Sequence, residues 1–261
     1  MNQRLDTIYI GYDKKEKIYF DVLVESIKRN TTETYNIVPL YEDKLRMMGL
    51  YWRGFHVEEG VNYDLQRFDY VDKKPFSTDF SFTRFLVPML NQYEGYALYM
   101  DCDMFIRADL KEVFDAAKKD SDTPLWCVHH DYVPKDAVKM DNKLQESYSK
   151  KNWSSFMLWN CEHKAHKELT VGDVNTKTGW WLHNFKWLDW RNHSRNPIGK
   201  IAPEWNWLDG HSAETIEPCN VHFTTGGPAF ENWKVKRDIE KTYVDEWSQL
   251  FKEIQMEEVM S

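Results

Sequence analysis

Residues 96–106 constrain this chain most strongly. They read Tyr96-Ala97-Leu98-Tyr99-Met100, then Asp101-Cys102-Asp103, then Met104-Phe105-Ile106. The first five are apolar or aromatic and fit a buried strand. Two ionised carboxylates set in such a frame are costly unless something compensates them. In extended backbone, residues two apart point to the same side, so Asp101 and Asp103 project together while Cys102 turns back. Like charges on one face raise each other's pKa unless a cation joins them. Hard carboxylate oxygens suit Mn²⁺ or Mg²⁺. Such an ion also holds a diphosphate and neutralises charge as it leaves. The plainer reading is a solvated turn at a strand end, and the apolar frame favours the metal.

The flanking segments put this run into an α/β sheet. Thr7–Ile10 is a short β-type run ended by Gly11. In Lys14–Arg29, Ile18, Val22, Leu23 and Ile27 fall at helical spacing. Tyr35–Leu40 is again strand-like, which completes a β-α-β unit, the start of a doubly wound sheet. The segment Tyr51–Lys74 has no clear period and is expected to be an irregular excursion. Asp79–Asn91 reads as a helix that Pro88 bends or ends. Further helices are expected at Asp109–Lys118, at Asp136–Lys150 and in the charged tail from Val235. Further strands are expected at Leu125–His129, Trp153–Asn160 and Val221–Thr224. Ligands of open α/β sheets bind beyond the carboxyl ends of strands, and the acidic pair occupies that position.

Composition narrows the function classes. A chain of 261 residues suits a single domain, with a nucleotide-binding half at 1–150 and an acceptor-side half at 151–261. The second half carries Trp180, Trp181, Trp187, Trp190, Trp205 and Trp207. The formal charge is −8 with no strong basic run, which argues against nucleic acid as a partner. A bound cation is then the natural hold on an anionic ligand. Cys102, Cys127, Cys161 and Cys219 share no CxxC spacing, so a zinc knuckle is not indicated. Their scatter suggests free thiols in a reducing compartment. The N-terminus lacks the features of a signal peptide. No stretch approaches the roughly 20 apolar residues of a transmembrane segment. A cytoplasmic protein is expected.

The run Leu98–Ile106 resembles the Asp-x-Asp strand of GT-A-fold glycosyltransferases. It is most similar to the glycogenin-like and bacterial galactosyltransferase-like group, glycosyltransferase family eight. The resemblance implies a Rossmann-like α/β fold with a mixed, mostly parallel sheet flanked by helices; the Trp-rich region has no clean family counterpart and is expected on the acceptor side. The resemblance also implies Mn²⁺ held by Asp101, Asp103 and a later histidine, and transfer of a hexose from a UDP-sugar with retention. Val221-His222-Phe223-Thr224-Thr225-Gly226-Gly227-Pro228 is similar to the family's His-Phe/Tyr-x-Gly motif. By that match His222 is the third metal ligand, through a neutral imidazole nitrogen. Gly226 and Gly227 let the backbone approach a phosphate. Taken alone, His222 reads as a satisfied histidine beside a tight turn.

Other matches follow in order along the chain. Ser81-Phe82-Thr83-Arg84-Phe85 resembles the family's Tyr-x-Arg/Lys helix, so Arg84 is expected to contact the donor or hold the acidic pair. Ile8–Asp13 takes the place of the first strand and nucleotide loop. There Tyr12 would stack on a base and Asp13 would accept a hydrogen bond from it. Trp153–Asn160 resembles a strand that carries donor-sugar contacts, with Trp153 and Ser155 replacing the family's asparagine and glycine. Asp131 lies where the family often has an aspartate touching the donor sugar, and His129 and His130 offer competing alignments. Pro203-Glu204-Trp205-Asn206 resembles a segment expected to shape the acceptor side.

One departure stands out. The family's lysine before the proline is missing, since Gly227 precedes Pro228. Lys234, Lys236 or backbone N–H groups would have to take its place at the diphosphate. The expected activity is transfer of a sugar from a nucleotide-diphosphate sugar, UDP-hexose by default, to a glycan, lipid-linked or protein acceptor. The alternatives are a metal-dependent nucleotidyltransferase or sugar-nucleotide hydrolase, and a non-catalytic carbohydrate-binding protein. Trp180, Trp181 and Trp187 would offer a sugar platform, although core packing is the commoner use of such residues.

Overall fold

Strand β1 (Thr7–Gly11) is buried at every position, and its neighbours explain why. In the computed structural model, which describes residues 5–59, 65–130, 150, 152–188, 196–230 and 243–260, β1 is an inner strand of a six-stranded sheet. On one side it pairs in parallel with β2 (Asn36–Leu40), and on the other with β6 (Tyr96–Met100). Helix α1 (Lys17–Asn30) makes the crossover from β1 to β2 and buries Tyr19, Val22, Leu23, Ser26 and Ile27. This is the expected β-α-β unit. Beyond β6 the sheet continues with β9 (Phe156–Asn160), β8 (Leu125–Val128) and β10 (Ile198–Ile201). Strand β9 is antiparallel to both its neighbours, while β8 and β10 are parallel. The sheet is therefore mixed and mostly parallel.

Alternation along the strands separates two apolar faces. Tyr9, Ala97, Tyr99, Met157 and Trp159 join one core. Ile8, Ile10, Leu98, Met100 and Leu158 join the other, with Val113 and Phe114 of helix α4 (Lys111–Lys118). Among the described tryptophans named above, Trp187, Trp205 and Trp207 are buried packing residues, Trp181 is half-buried and Trp180 is 56% exposed. Trp190 lies outside the described residues.

The acidic pair sits where the chain changes sheets. After Asp103 it enters β7 (Met104–Ile106), the edge of a three-stranded sheet with β12 (Asn220–His222) and β11 (Trp207–Leu208). Strand β12 runs antiparallel to β7 with His222 opposite Met104. The last described helix, α7 (Val244–Met260), packs Val244, Trp247 and Leu250 into a third core with Tyr19 and Val22 of α1. No helix among the described residues is long and apolar enough to cross a membrane.

Three sequence expectations need correction. Residues 51–74 are not irregular throughout: β3 (Phe55–Glu59) and β4 (Leu65–Asp69) pair antiparallel, and β5 (Pro75–Phe76) adds a third strand. The strands lack an alternating signal because this small sheet is largely half-buried or exposed. Asp79–Asn91 is not one helix. It holds a 3₁₀ turn at Thr83–Leu86 followed by the short α3 (Val87–Leu90). Pro88 stands in the first turn of α3, where its missing N–H costs nothing. Trp153–Ser155 is a 3₁₀ turn leading into β9 rather than part of it. The expected helix Asp136–Lys150 lies, up to residue 149, outside the described residues, as does the start of the tail.

Candidate active site

Sheet geometry brings Asp101, Asp103 and His222 together. Asp101 and Asp103 follow the carboxyl end of β6, and His222 ends β12. The Phe223 N–H donates to the Asp103 carbonyl at 2.9 Å, which ties the end of β12 to the acidic turn. One potential ligand atom from each side chain lies within 4.8 Å of the others. His222 Nε2 is 3.3 Å from Asp103 Oδ1. Two carboxylates and an imidazole on one locus form a hard, mixed oxygen–nitrogen donor set that suits Mn²⁺ or Mg²⁺.

Asp101 is the more enclosed carboxylate. Its Oδ1 accepts a hydrogen bond from the Tyr99 hydroxyl at 2.7 Å and lies 3.0 Å from Arg84 Nη1. Burial nevertheless pushes the Asp101 carboxyl above its ordinary range; Arg84 opposes that shift and Asp103 adds to it. Arg84 is itself buried and donates to the carbonyls of Phe80 (3.1 Å) and Ser154 (2.9 Å). The 3₁₀ turn at 83–86 carries this arginine beneath the acidic turn. Cys102 points back into the core, and burial raises its thiol well above the usual range.

The glycine loop lies on the open side. A small cleft is lined by Asp103, Glu16, Ser77, Thr78, Thr224, Thr225, Gly226 and Gly227. Gly226 has φ +109°, a conformation that favours glycine. A Cβ on Gly227 would lie 2.7 Å from Tyr19 Cε1 and 3.0 Å from Phe223 Cβ. Tyr19 thus fills the space that a side chain at 227, such as the lysine of the resembled family, would need. Lys234 and Lys236 lie outside the described residues.

Tyr12 and Asp13 occupy the next stretch of surface. Tyr12 is half-buried and meets Phe20 and Tyr41 edge-on. It lines a cavity of about 230 Å³ with Lys14, Tyr41, Glu42, Arg46, Arg67 and Asp79. Asp13 is buried and accepts from the backbone N–H groups of Lys15 (3.0 Å) and Asp79 (3.3 Å). It caps the turn that opens α1 and joins it to residues 77–79, which run between the cavity and the cleft.

Asp131 lies outside the described residues. The preceding His129 stacks on Trp153 with centroids 4.0 Å apart, and the Trp153 indole N–H donates to the His130 carbonyl at 3.0 Å. Burial, reinforced by His222 and then His129, pushes His130 down to about 3. Sequence reasoning missed Ser77 and Thr78, which have no motif to mark them. It gave Asn206 no role at the acidic cluster, where its buried side chain meets His222.

No protein-family model matches the chain. The chain is similar to Protein CDI of Arabidopsis thaliana, at 40% identity over 232 residues, which is 87% of this chain and 80% of that protein. Among solved structures it resembles the galactosyltransferase LgtC, solved with donor and acceptor sugar analogues. That match has a TM-score of 0.55 and 13% identity, and covers 95% of each chain. It also resembles the WbbM bifunctional glycosyltransferase, with a TM-score of 0.56, 16% identity and 96% of this chain covered. The chain spans 50% of that protein's length. The glycosyltransferase GlyE of Streptococcus pneumoniae matches with a TM-score of 0.51 and 12% identity, over 98% of this chain and 64% of GlyE. At these identities the likeness establishes the fold, which is that of GT-A-like glycosyltransferases.

Proposed function

We propose that this chain, which belongs to the family of Protein CDI of Arabidopsis thaliana, is a metal-dependent glycosyltransferase using a nucleotide-diphosphate sugar. The observation that carries the reading is the convergence of Asp101, Asp103 and His222 beyond the carboxyl end of β6, with their ligand atoms within 4.8 Å. That is where an open α/β sheet binds its ligands. The GT-A-like fold supports the same reaction class, and the motifs resemble those of glycosyltransferase family eight.

Asp101, Asp103 and His222 would hold Mn²⁺ or Mg²⁺, which when bound supplies positive charge to a leaving diphosphate. Arg84 holds Asp101 by an ion pair and opposes the upward push of burial on its carboxyl. Gly226 and Gly227 line the cleft beside Asp103 and would present backbone, not side chains, to phosphate oxygens. Tyr12 and Tyr41 offer aromatic surface for a base, in a cavity that Lys14 also lines. By resemblance Asp131 is the donor-sugar candidate, and the exposed Trp180 is available to an acceptor glycan. By resemblance the anomeric configuration is retained and UDP-hexose is the default donor. The four free thiols favour a reducing compartment such as the cytoplasm.

The test is a panel of UDP-, GDP- and CDP-sugars incubated with the protein and Mn²⁺. Release of nucleotide from one donor, suppressed by EDTA, supports the proposal. Sugar binding that is indifferent to nucleotide and metal would replace it with a lectin-like role.

A further inference from the structure

An imidazole that binds a metal presents a lone pair from one nitrogen, so its other nitrogen carries the proton. In His222 the two nitrogens face different groups. Nε2 is on the acidic side, 3.3 Å from Asp103 Oδ1. Nδ1 faces away, 2.9 Å from Oδ1 of Asn206.

Asn206 cannot turn its amide over. The opposite end of that amide lies 3.2 Å from the Asn152 carbonyl oxygen and 2.9 Å from Ser155 Oγ. A carbonyl only accepts, so the end that faces it must be the NH₂. Ser155 Oγ already donates to the same Asn152 carbonyl at 2.7 Å, so towards Asn206 it accepts as well. The amide oxygen is thereby committed to His222, and Nδ1 must be the donor. His222, Asn206 and Ser155 are each at most 2% exposed, so water does not compete for these positions. The shared anchor is Asn152, which holds a left-handed backbone (φ 64°) that asparagine tolerates.

We propose that Asn206, anchored by Asn152 and Ser155, is a positioning residue that keeps the proton of His222 on Nδ1 and aims Nε2 at the cation shared with Asp101 and Asp103. This rests on the metal reading of that cluster. Asn206 itself touches neither cation nor substrate and acts only through His222.

The experiment is Mn²⁺ titration of the full chain by calorimetry, with no nucleotide sugar present. Asn206→Leu keeps the size and removes the acceptor, and its affinity should fall about 10- to 100-fold. Asn206→Asp keeps an acceptor for Nδ1 but loses the NH₂ that Asn152 and Ser155 hold, so it should bind less tightly than wild type and more tightly than Asn206→Leu. Ser155→Ala removes one of two anchors and should give a smaller loss. Wild-type affinity in Asn206→Leu overturns the proposal, as does an equal loss in Asn206→Asp, which would assign the effect to packing. A readout free of variants is the ¹⁵N spectrum of the Mg²⁺-loaded wild type. A proton on Nδ1 of His222 is expected, and a proton on Nε2 alone overturns the proposal. Failure of wild type to bind Mn²⁺ sinks the metal reading itself, whereas binding that Asn206→Leu leaves unchanged sinks only the role of Asn206.

Discussion

Arg84 Nη1 lies 3.0 Å from Asp101 Oδ1, and both side chains are nearly buried. Breaking such a pair from one side leaves an uncompensated buried charge, which typically costs about 3–5 kcal/mol. Asp101 keeps its hydrogen bond from Tyr99 and can take up a proton, so the lower end applies. Arg84→Met should therefore lose about 3 kcal/mol in urea denaturation with EDTA present. A loss below about 1 kcal/mol would mean that Arg84 does not compensate Asp101.

Asp103→Asn keeps the shape of the acidic turn and removes one charge. In wild type, Mn²⁺ should raise the melting temperature by linkage, and in Asp103→Asn most of that rise should vanish. Donor-dependent nucleotide release should fall by at least about 100-fold. An unchanged Mn²⁺ response would take Asp103 out of the metal site.

His166 is fully buried, with Nε2 2.8 Å from the Pro124 carbonyl. Burial holds its pKa down to about 4, against an ordinary 6.5, and the hydrogen bond to Pro124 only partly opposes this. Between those values the unfolded chain binds the extra proton and the folded chain does not. The stabilising contribution is therefore complete above pH 6.5 and is lost as pH falls towards 4, by up to about 3 kcal/mol. His166→Gln keeps a donor for Pro124 and should flatten that part of the stability profile. An identical slope in the variant would assign the acid sensitivity elsewhere.

Gly227→Lys would restore the lysine of the resembled family at a position where a Cβ lies 2.7 Å from the Tyr19 ring. Overpacking of this kind costs about 1–3 kcal/mol. The variant should melt lower than wild type and show no gain in nucleotide release. Higher activity at unchanged stability would mean that Tyr19 yields easily and that the lysine is missing for another reason.

Two tryptophans separate packing from surface roles. Trp159 is fully buried in β9, and Trp159→Ala should cost about 3–5 kcal/mol. Trp180 is exposed, with Lys186 Nζ 4.7 Å from its ring centroid, and Trp180→Ala should stay within about 0.5–1 kcal/mol of wild type. If Trp180 meets the acceptor, that variant should raise the KM for acceptor and leave donor hydrolysis unchanged. Equal acceptor kinetics would remove Trp180 from the acceptor side.

The sequence read best where a physical cost had to be met locally. The β-α-β start, the buried strand at 96–100 and the acidic pair at its end follow from period, apolar run and uncompensated charge within a short window. Residues 55–76 read poorly because their sheet is largely half-buried or exposed and its two buried positions in β4, Gln66 and Asp69, are polar. Asp79–Asn91 misled because its apolar residues satisfy a 3₁₀ turn and a short helix as well as one long helix.

The sequence by itself determined that two carboxylates emerge from a buried strand and call for a cation. It also supplied a histidine and glycines, far along the chain, that resemble a partner motif. Only the tertiary structure decided that β12 pairs with β7, which sets His222 beside Asp103. It also decided that Tyr19 occupies the space a side chain at 227 would need, and that Asn206 faces His222. The reason is physical. Strand pairing and side-chain packing join residues distant in sequence, and no local cost along the chain records which distant partner meets it.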